Sequence, residues 1–160
     1  MSVDTGAGTL PAGRVHDQVD VRGPRFVAWI TTAVLIVTLL TAAVSVPAAA
    51  VILGLQTVVF AVGTAAGPRR HPYGLAFAAL VAPRLGPVTE REPVPPLRFA
   101  QLVGFLFAAA GTVGFALGAP VVGLVATAFA LFAAFLNAAF GICLGCQIYP
   151  LVARFRRVPV

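Results

Sequence analysis

Two long stretches of this chain contain no Asp, Glu, Lys or Arg: residues 26–68 and residues 99–153. A membrane-crossing helix needs about 20 apolar residues, so each stretch can hold two crossings joined by a tight turn. Turn signals fall where that division needs them. Pro47 interrupts the first stretch and Gly67-Pro68 closes it, while Gly118-Ala119-Pro120 interrupts the second and Pro150 lies near its end. The pattern predicts an all-α membrane protein with four transmembrane helices arranged as two hairpins, spanning about 26–46, 48–66, 99–117 and 121–149. Residues 1–25 read as a flexible tail, 67–98 as a central segment and 150–160 as a second tail.

The central segment has its own texture. It opens with a cation-rich turn cluster, Gly67-Pro68-Arg69-Arg70-His71-Pro72-Tyr73-Gly74. The following LAFAALVAPRL is too short to cross a membrane and too apolar for an ordinary loop. It reads as a short interfacial helix with Tyr73, Phe77, Leu80 and Val81 toward lipid, or else as a plug beneath the bundle. GPVTEREPVPP then reads as an extended, proline-stiffened connector.

Composition identifies the solvent. Hydrophobic residues make up 59% of the chain and charged residues 10%, against roughly 25% charged in a soluble domain. The net charge of +6 comes from arginine alone. These arginines stand at the ends of apolar runs instead of along one stripe with interleaved aromatics, which argues against a nucleic-acid partner. Arg14, Arg22 and Arg25 lie in the first tail, Arg69, Arg70, Arg84, Arg91 and Arg98 in the central segment, and Arg154, Arg156 and Arg157 at the end; the hairpin turns have none. The positive-inside rule therefore puts both termini and the central segment in the cytoplasm. Trp29, Tyr73 and Tyr149 fall near that same boundary, as interfacial aromatics do. The first apolar run is longer than the 7–15 residues of a signal-peptide core and follows a long tail, so it reads as a retained span.

Polar residues within the spans are few. Thr31, Thr32, Thr38 and Thr41 can return their hydroxyls to the helix backbone, whereas the amides of Gln56 and Asn137 call for interhelical partners. No span carries an ionisable carboxylate, Lys or Arg, which argues against a proton-coupled pump. No nucleophile triad, phosphate-binding loop or dinucleotide fingerprint occurs. Gly63/Gly67, Gly114/Gly118 and Gly141/Gly145 are spaced for close helix approach, within the bundle or, less favourably, across a homo-oligomer face.

The chemistry is concentrated in Gly141-Ile142-Cys143-Leu144-Gly145-Cys146-Gln147-Ile148-Tyr149. Spaced three apart on a helix, Cys143 and Cys146 share a face. Such a pair can serve dithiol/disulfide redox, sulfur relay through a persulfide, metal ligation, or simple apolar filling. At a helix C-terminus the dipole would oppose a thiolate. Pro150 would also leave the Cys146 carbonyl without its helical donor. Activation would then fall to Arg154, Arg69 and Arg70, and a cytoplasmic position implies a reduced dithiol at rest. His16 and His71 could complete a tetrahedral zinc set with the two cysteines, but neither is in a spaced pair and Arg69 and Arg70 would repel a cation. The preferred expectation is thiol redox or sulfur transfer. Cys143 and Cys146 form its exchanging pair, Arg69, Arg70 and His71 make anion or partner contacts, and the partner is a cytoplasmic thiol or sulfur-carrier protein; no cofactor is implied. A small-solute permease using Gln56 and Asn137, or a structural subunit without chemistry, are the alternatives.

Four segments carry a family resemblance: Val19-Asp20-Val21-Arg22-Gly23-Pro24-Arg25-Phe26, the Gly67-to-Tyr73 turn, Pro95-Pro96-Leu97-Arg98-Phe99-Ala100-Gln101, and Asn137 to Tyr149 with its Cys-x-Gly-Cys. Together they resemble a bacterial integral-membrane family, domain of unknown function 4395, over residues 15 to 155. The resemblance implies a small multi-span protein of the bacterial inner membrane, linked with thiol and sulfur metabolism, and supplies no reaction.

Overall fold

The computed structural model describes residues 18–156. In chain order they form strand β1 (Gln18–Asp20), helices α1 (Arg22–Ala42), α2 (Val46–Ala66) and α3 (Pro72–Ala76), strand β2 (Arg91–Pro93), and helices α4 (Val94–Ala116), α5 (Pro120–Phe140) and α6 (Leu144–Arg156). Four of these, α1, α2, α4 and α5, are long and apolar enough to cross a membrane. The chain is a multi-pass integral membrane protein built as two helical hairpins.

Prolines open helices here more than they end them. Pro47, Pro95 and Pro96, and Pro120 all lie in first turns, where a missing N–H removes no intrahelical bond. Ser45 caps α2, its hydroxyl accepting from the Ala48 N–H at 3.4 Å. The hairpin turn thus lies before Pro47. At the other end of α2, Gly67 adopts φ +80. Arg98 donates to the carbonyls of Thr64 (3.0 Å) and Ala65 (2.6 Å) there, a cation placed at the negative end of the helix dipole.

The four spans close into a ring in which α1 lies beside α2 and α5, and α4 completes the circle against the same two helices. Leu35, Ala49, Leu53, Ala108 and Phe115 form the core. Toward the hairpin turns small residues hold the backbones together. A side chain at Gly114 would put its Cβ 2.8 Å from the Gly123 nitrogen, and one at Gly111 would sit 2.7 Å from Leu53. Thr57 and Thr112 meet across α2 and α4 at 3.2 Å. Thr32 and Thr38 return their hydroxyls to the backbone, as the sequence suggests, whereas the Thr31 hydroxyl, expected to do the same, has no partner.

The arginine-bearing end is closed by short elements. Gln18, Val19 and Asp20 pair antiparallel with Pro93, Glu92 and Arg91, so the tail is structured from residue 18 onward. Asp20 is bound by Arg22 at 2.8 Å, and that hydrogen-bonded guanidinium holds its carboxyl below the usual range. Helix α3 runs on through a π turn (Phe77–Val81) and a 3-10 turn (Ala82–Arg84), forming the interfacial segment between the hairpins. One side of it turns inward. Phe77 is buried against Phe26 with ring centroids 5.7 Å apart, Tyr73 and Val81 are half-buried, and Leu80 faces outward.

The last apolar stretch departs from its expected course. It does not continue as one helix to Tyr149. Gly141 takes a left-handed conformation at φ +70, donating its N–H to the Asn137 carbonyl at 3.1 Å, and α5 stops. Helix α6 starts three residues later and contains Pro150 instead of ending there. The Gly141/Gly145 pair is therefore no single-helix packing face.

Candidate redox site

The break at Gly141 changes the local chemistry of both cysteines. Cys143 precedes α6 and acts as its N-cap: its carbonyl accepts from the Gln147 N–H at 3.1 Å, and its Sγ accepts from the Cys146 N–H at 3.2 Å. A sulfur here occupies the place that a Ser or Asp oxygen takes in other helices. The pair lies at a helix N-terminus, opposite to the C-terminal placement the uninterrupted pattern predicts. Once the pair is reduced, a thiolate at Cys143 would lie at the positive end of the α6 dipole and keep the Cys146 N–H as its donor. The Cα atoms are 5.2 Å apart and the sulfurs meet in a disulfide-capable geometry, close enough for the pair to cycle between dithiol and disulfide.

Glycine positions the motif. Gly145, between the cysteines, packs on the start of α4, where a Cβ would lie 2.7 Å from the Ala100 Cα. Tyr149 follows onto Phe99, ring centroids 5.9 Å apart. Arg25 supplies nearby positive charge, its guanidinium about a van der Waals contact from where a Gly141 Cβ would be.

Cys143 lines a half-open cavity of about 700 Å³ in the arginine-end half of the bundle, bordered by α1, α2, α4 and α5 and by α3, β1 and α6. His71 lines it too and is only 1% exposed. Gly63 on α2 leaves room for the imidazole and for the Gln101 amide beside it. Gln101 favours the charged form of His71, but without hydrogen-bond geometry, and burial prevails: the imidazole pKa falls to about 4. Both ring nitrogens, Gln101 Oε1 and Thr31 Oγ1 have no hydrogen-bond partner. A polar cleft of about 420 Å³, lined by Arg25, Glu92 and Asn137 among others, adjoins the cavity through Asn137 and Arg91. Burial raises the Glu92 pKa there.

The residues expected around the thiols separate accordingly. His71 and Arg69 join Cys143 at the cavity, with Arg69 also donating to the Gln18 carbonyl at 3.1 Å. Arg70 and Arg154 are exposed outside it. Gln56 finds its partner in Tyr73, whose hydroxyl donates to Oε1 at 2.8 Å; this draws Tyr73 inward from its expected place at the interface. His16 lies outside the described residues. Cys143, Cys146 and His71 form no metal-holding group, and none occurs among the described residues. Gln101 is a site residue that sequence reading does not single out, and Thr31 is one it assigns to backbone bonding that the hydroxyl does not make. For Gln101 a signal exists, an amide inside an apolar stretch; for Thr31 none separates it from Thr32.

Residues 19–154 match the family described as Domain of unknown function (DUF4395), and the chain belongs to that family. Comparison with curated proteins gives no match, and comparison with solved structures gives none.

Proposed function

We propose that this protein is a thiol-redox component of the bacterial inner membrane that passes electrons between a cytoplasmic thiol and the Cys143/Cys146 pair. The observation that carries this reading is the capping geometry, in which the sulfur of Cys143 accepts the Cys146 N–H at the N-terminus of α6. In the reduced state the same contact stabilises a Cys143 thiolate. The positive-inside rule, applied to the arginine-rich end, puts the pair on the cytoplasmic side with both termini. Exchange is balanced within the pair. A partner thiolate attacks one sulfur of the disulfide, the Cys143–Cys146 bond breaks as the mixed disulfide forms, and a second partner thiolate releases the dithiol. Sulfur transfer would use the same Cys143 nucleophile on a persulfide. The permease reading is weakened because Gln56 is bound to Tyr73 and the hairpin half is closely packed.

The test uses the full chain in lipid nanodiscs equilibrated in graded glutathione buffers, with thiols counted by maleimide mass-tagging. Two thiols should appear together as a two-electron couple, and Cys146→Ser should accumulate a glutathione mixed disulfide at Cys143. A pair that stays fixed in one state across the whole series, with no mixed disulfide in the variant, would refute the redox role.

A further inference from the structure

We propose that the cavity binds a lipophilic quinone, which accepts two electrons from the Cys143/Cys146 dithiol; this rests on the thiol-redox reading above. At about 700 Å³ the cavity falls within the roughly 300–1,000 Å³ of small-molecule sites. Its walls are largely apolar, with Val27, Phe60 and Phe107 among them. The polar groups inside it are unusual in having no partners: both nitrogens of His71, Thr31 Oγ1 and Gln101 Oε1. His71 and Thr31 are 1% and 3% exposed, so a ligand in the cavity reaches their polar atoms only as the side chains covering them turn aside. An unpartnered buried polar group costs about 1–3 kcal/mol.

A ring bearing two carbonyls matches this set. The neutral imidazole and the Thr31 hydroxyl each supply a donor, and Gln101 Oε1 accepts from the hydroxyl that appears when the ring is reduced. A hydrocarbon chain alone would leave these groups unpaired. An anion would lose its hydration without a buried cation, because Arg69 and Arg91 are exposed. Two further observations favour a membrane-borne redox ligand. Cys143 lines the cavity and Cys146 does not, so Cys143 is the member of the couple placed beside a ligand there. Phe107 and Phe129 with Phe132, on α4 and α5, line the cavity and keep more than a third of their surface exposed, as a cavity with a mouth on the lipid side of the bundle requires.

The transfer balances with these groups. The Cys143 thiolate adds to a ring carbon, forming a C–S bond and sending an electron pair to a carbonyl oxygen, which takes a proton. The Cys146 thiolate then attacks Cys143 Sγ. The S–S bond forms, the C–S bond breaks, and its electron pair goes to the ring, whose second oxygen takes the second proton. The dithiol loses two electrons and its two protons, and the quinone leaves as hydroquinone. The cytoplasmic thiol restores the dithiol.

Binding and transfer are measured separately, on the full chain in nanodiscs, with a decyl-substituted dimethoxybenzoquinone as probe. The Cys143→Ser/Cys146→Ser protein cannot turn over and should bind the probe saturably. In that background His71→Ala should weaken binding about tenfold and Thr31→Val, nearly isosteric, about fivefold, the size of one or two lost hydrogen bonds. Pre-reduced protein with native cysteines should lose two thiols and form one hydroquinone anaerobically, and the double-serine protein should form none. Absent saturable binding would overturn the quinone site while leaving thiol exchange with glutathione intact as evidence for the redox reading. Equal binding of a decyl dimethoxybenzene, which lacks carbonyls, or insensitivity to Thr31→Val, would overturn it as an acyl-chain cavity. Binding without dithiol oxidation would overturn the electron transfer, and if glutathione exchange also failed, the redox reading with it.

Discussion

At the hairpin end of the bundle, Gly111, Gly114 and Gly123 bring helices so close that an added methyl would strike backbone or core side chains. At the arginine end, helices of the same composition stand apart around a cavity of about 700 Å³. Thr127 and Thr31 show the same contrast. Both are buried, but the Thr127 hydroxyl donates to the Gly123 carbonyl at 2.7 Å and that of Thr31 has no partner. Lipid offers no hydrophobic drive for helices to associate, so stability comes from packing and internal hydrogen bonds. One half of this bundle is built for that. The other half forgoes packing beside the cysteine pair, as functional sites do when they give up local stability.

Glycine substitutions should divide the two halves most sharply. Gly114→Ala meets the Gly123 backbone at 2.8 Å, whereas Gly104→Ala meets the Phe60 ring, at 2.8 Å from its edge, which can shift toward the cavity. Both gain similar helix propensity, so the difference isolates packing. Gly114→Ala should destabilise by about 2 kcal/mol relative to Gly104→Ala, measured by reversible unfolding in mixed micelles. Equal effects would erase the distinction.

A smaller effect should follow pH. Burial lowers the His71 pKa from its ordinary 6.5 to about 4. Below pH 6.5 the unfolded chain takes up this proton and the folded chain does not until about pH 4. Stability contributed above 6.5 is therefore lost as pH falls through that window. The wild-type unfolding midpoint should drop between pH 7 and pH 5, and His71→Gln should flatten that drop. A profile unchanged by the variant would mean the imidazole is solvated.

The smallest difference concerns the two threonines. Thr127→Val removes a made hydrogen bond and should cost about 1 kcal/mol, while Thr31→Val removes an orphan hydroxyl and should be neutral or slightly stabilising. The same unfolding assay reads both, and a reversed order would show that Thr31 is already paired.

The packed half was the legible one. Long charge-free stretches with turn residues at their middles specify four crossings, because every uncompensated charge in lipid is costly. The arginine end was harder to read, for physical reasons that differ by residue. Gly141 ends a helix, but glycine is common inside membrane helices, so the Ala- and Phe-rich run around it reads as continuous and places the cysteines at the wrong helix end. His71 follows two arginines and looks solvent-facing, yet Gly63, distant in sequence, makes the gap that buries it. The pairing of residues 18–20 with 91–93 uses two short polar segments with no strand periodicity. Cys143 and Cys146 were identifiable by type and spacing, while their capping geometry depended on the Gly141 break.

That geometry is tested most directly by the pH dependence of Cys143 alkylation by iodoacetamide in the Cys146→Ser protein, held in nanodiscs. A sulfur capping α6 should react with a midpoint below the roughly 8.5 of a free thiol, and below that of Cys146 in Cys143→Ser. A Cys143 midpoint at or above 8.5, equal to that of Cys146, would contradict the N-terminal placement and the redox role built on it.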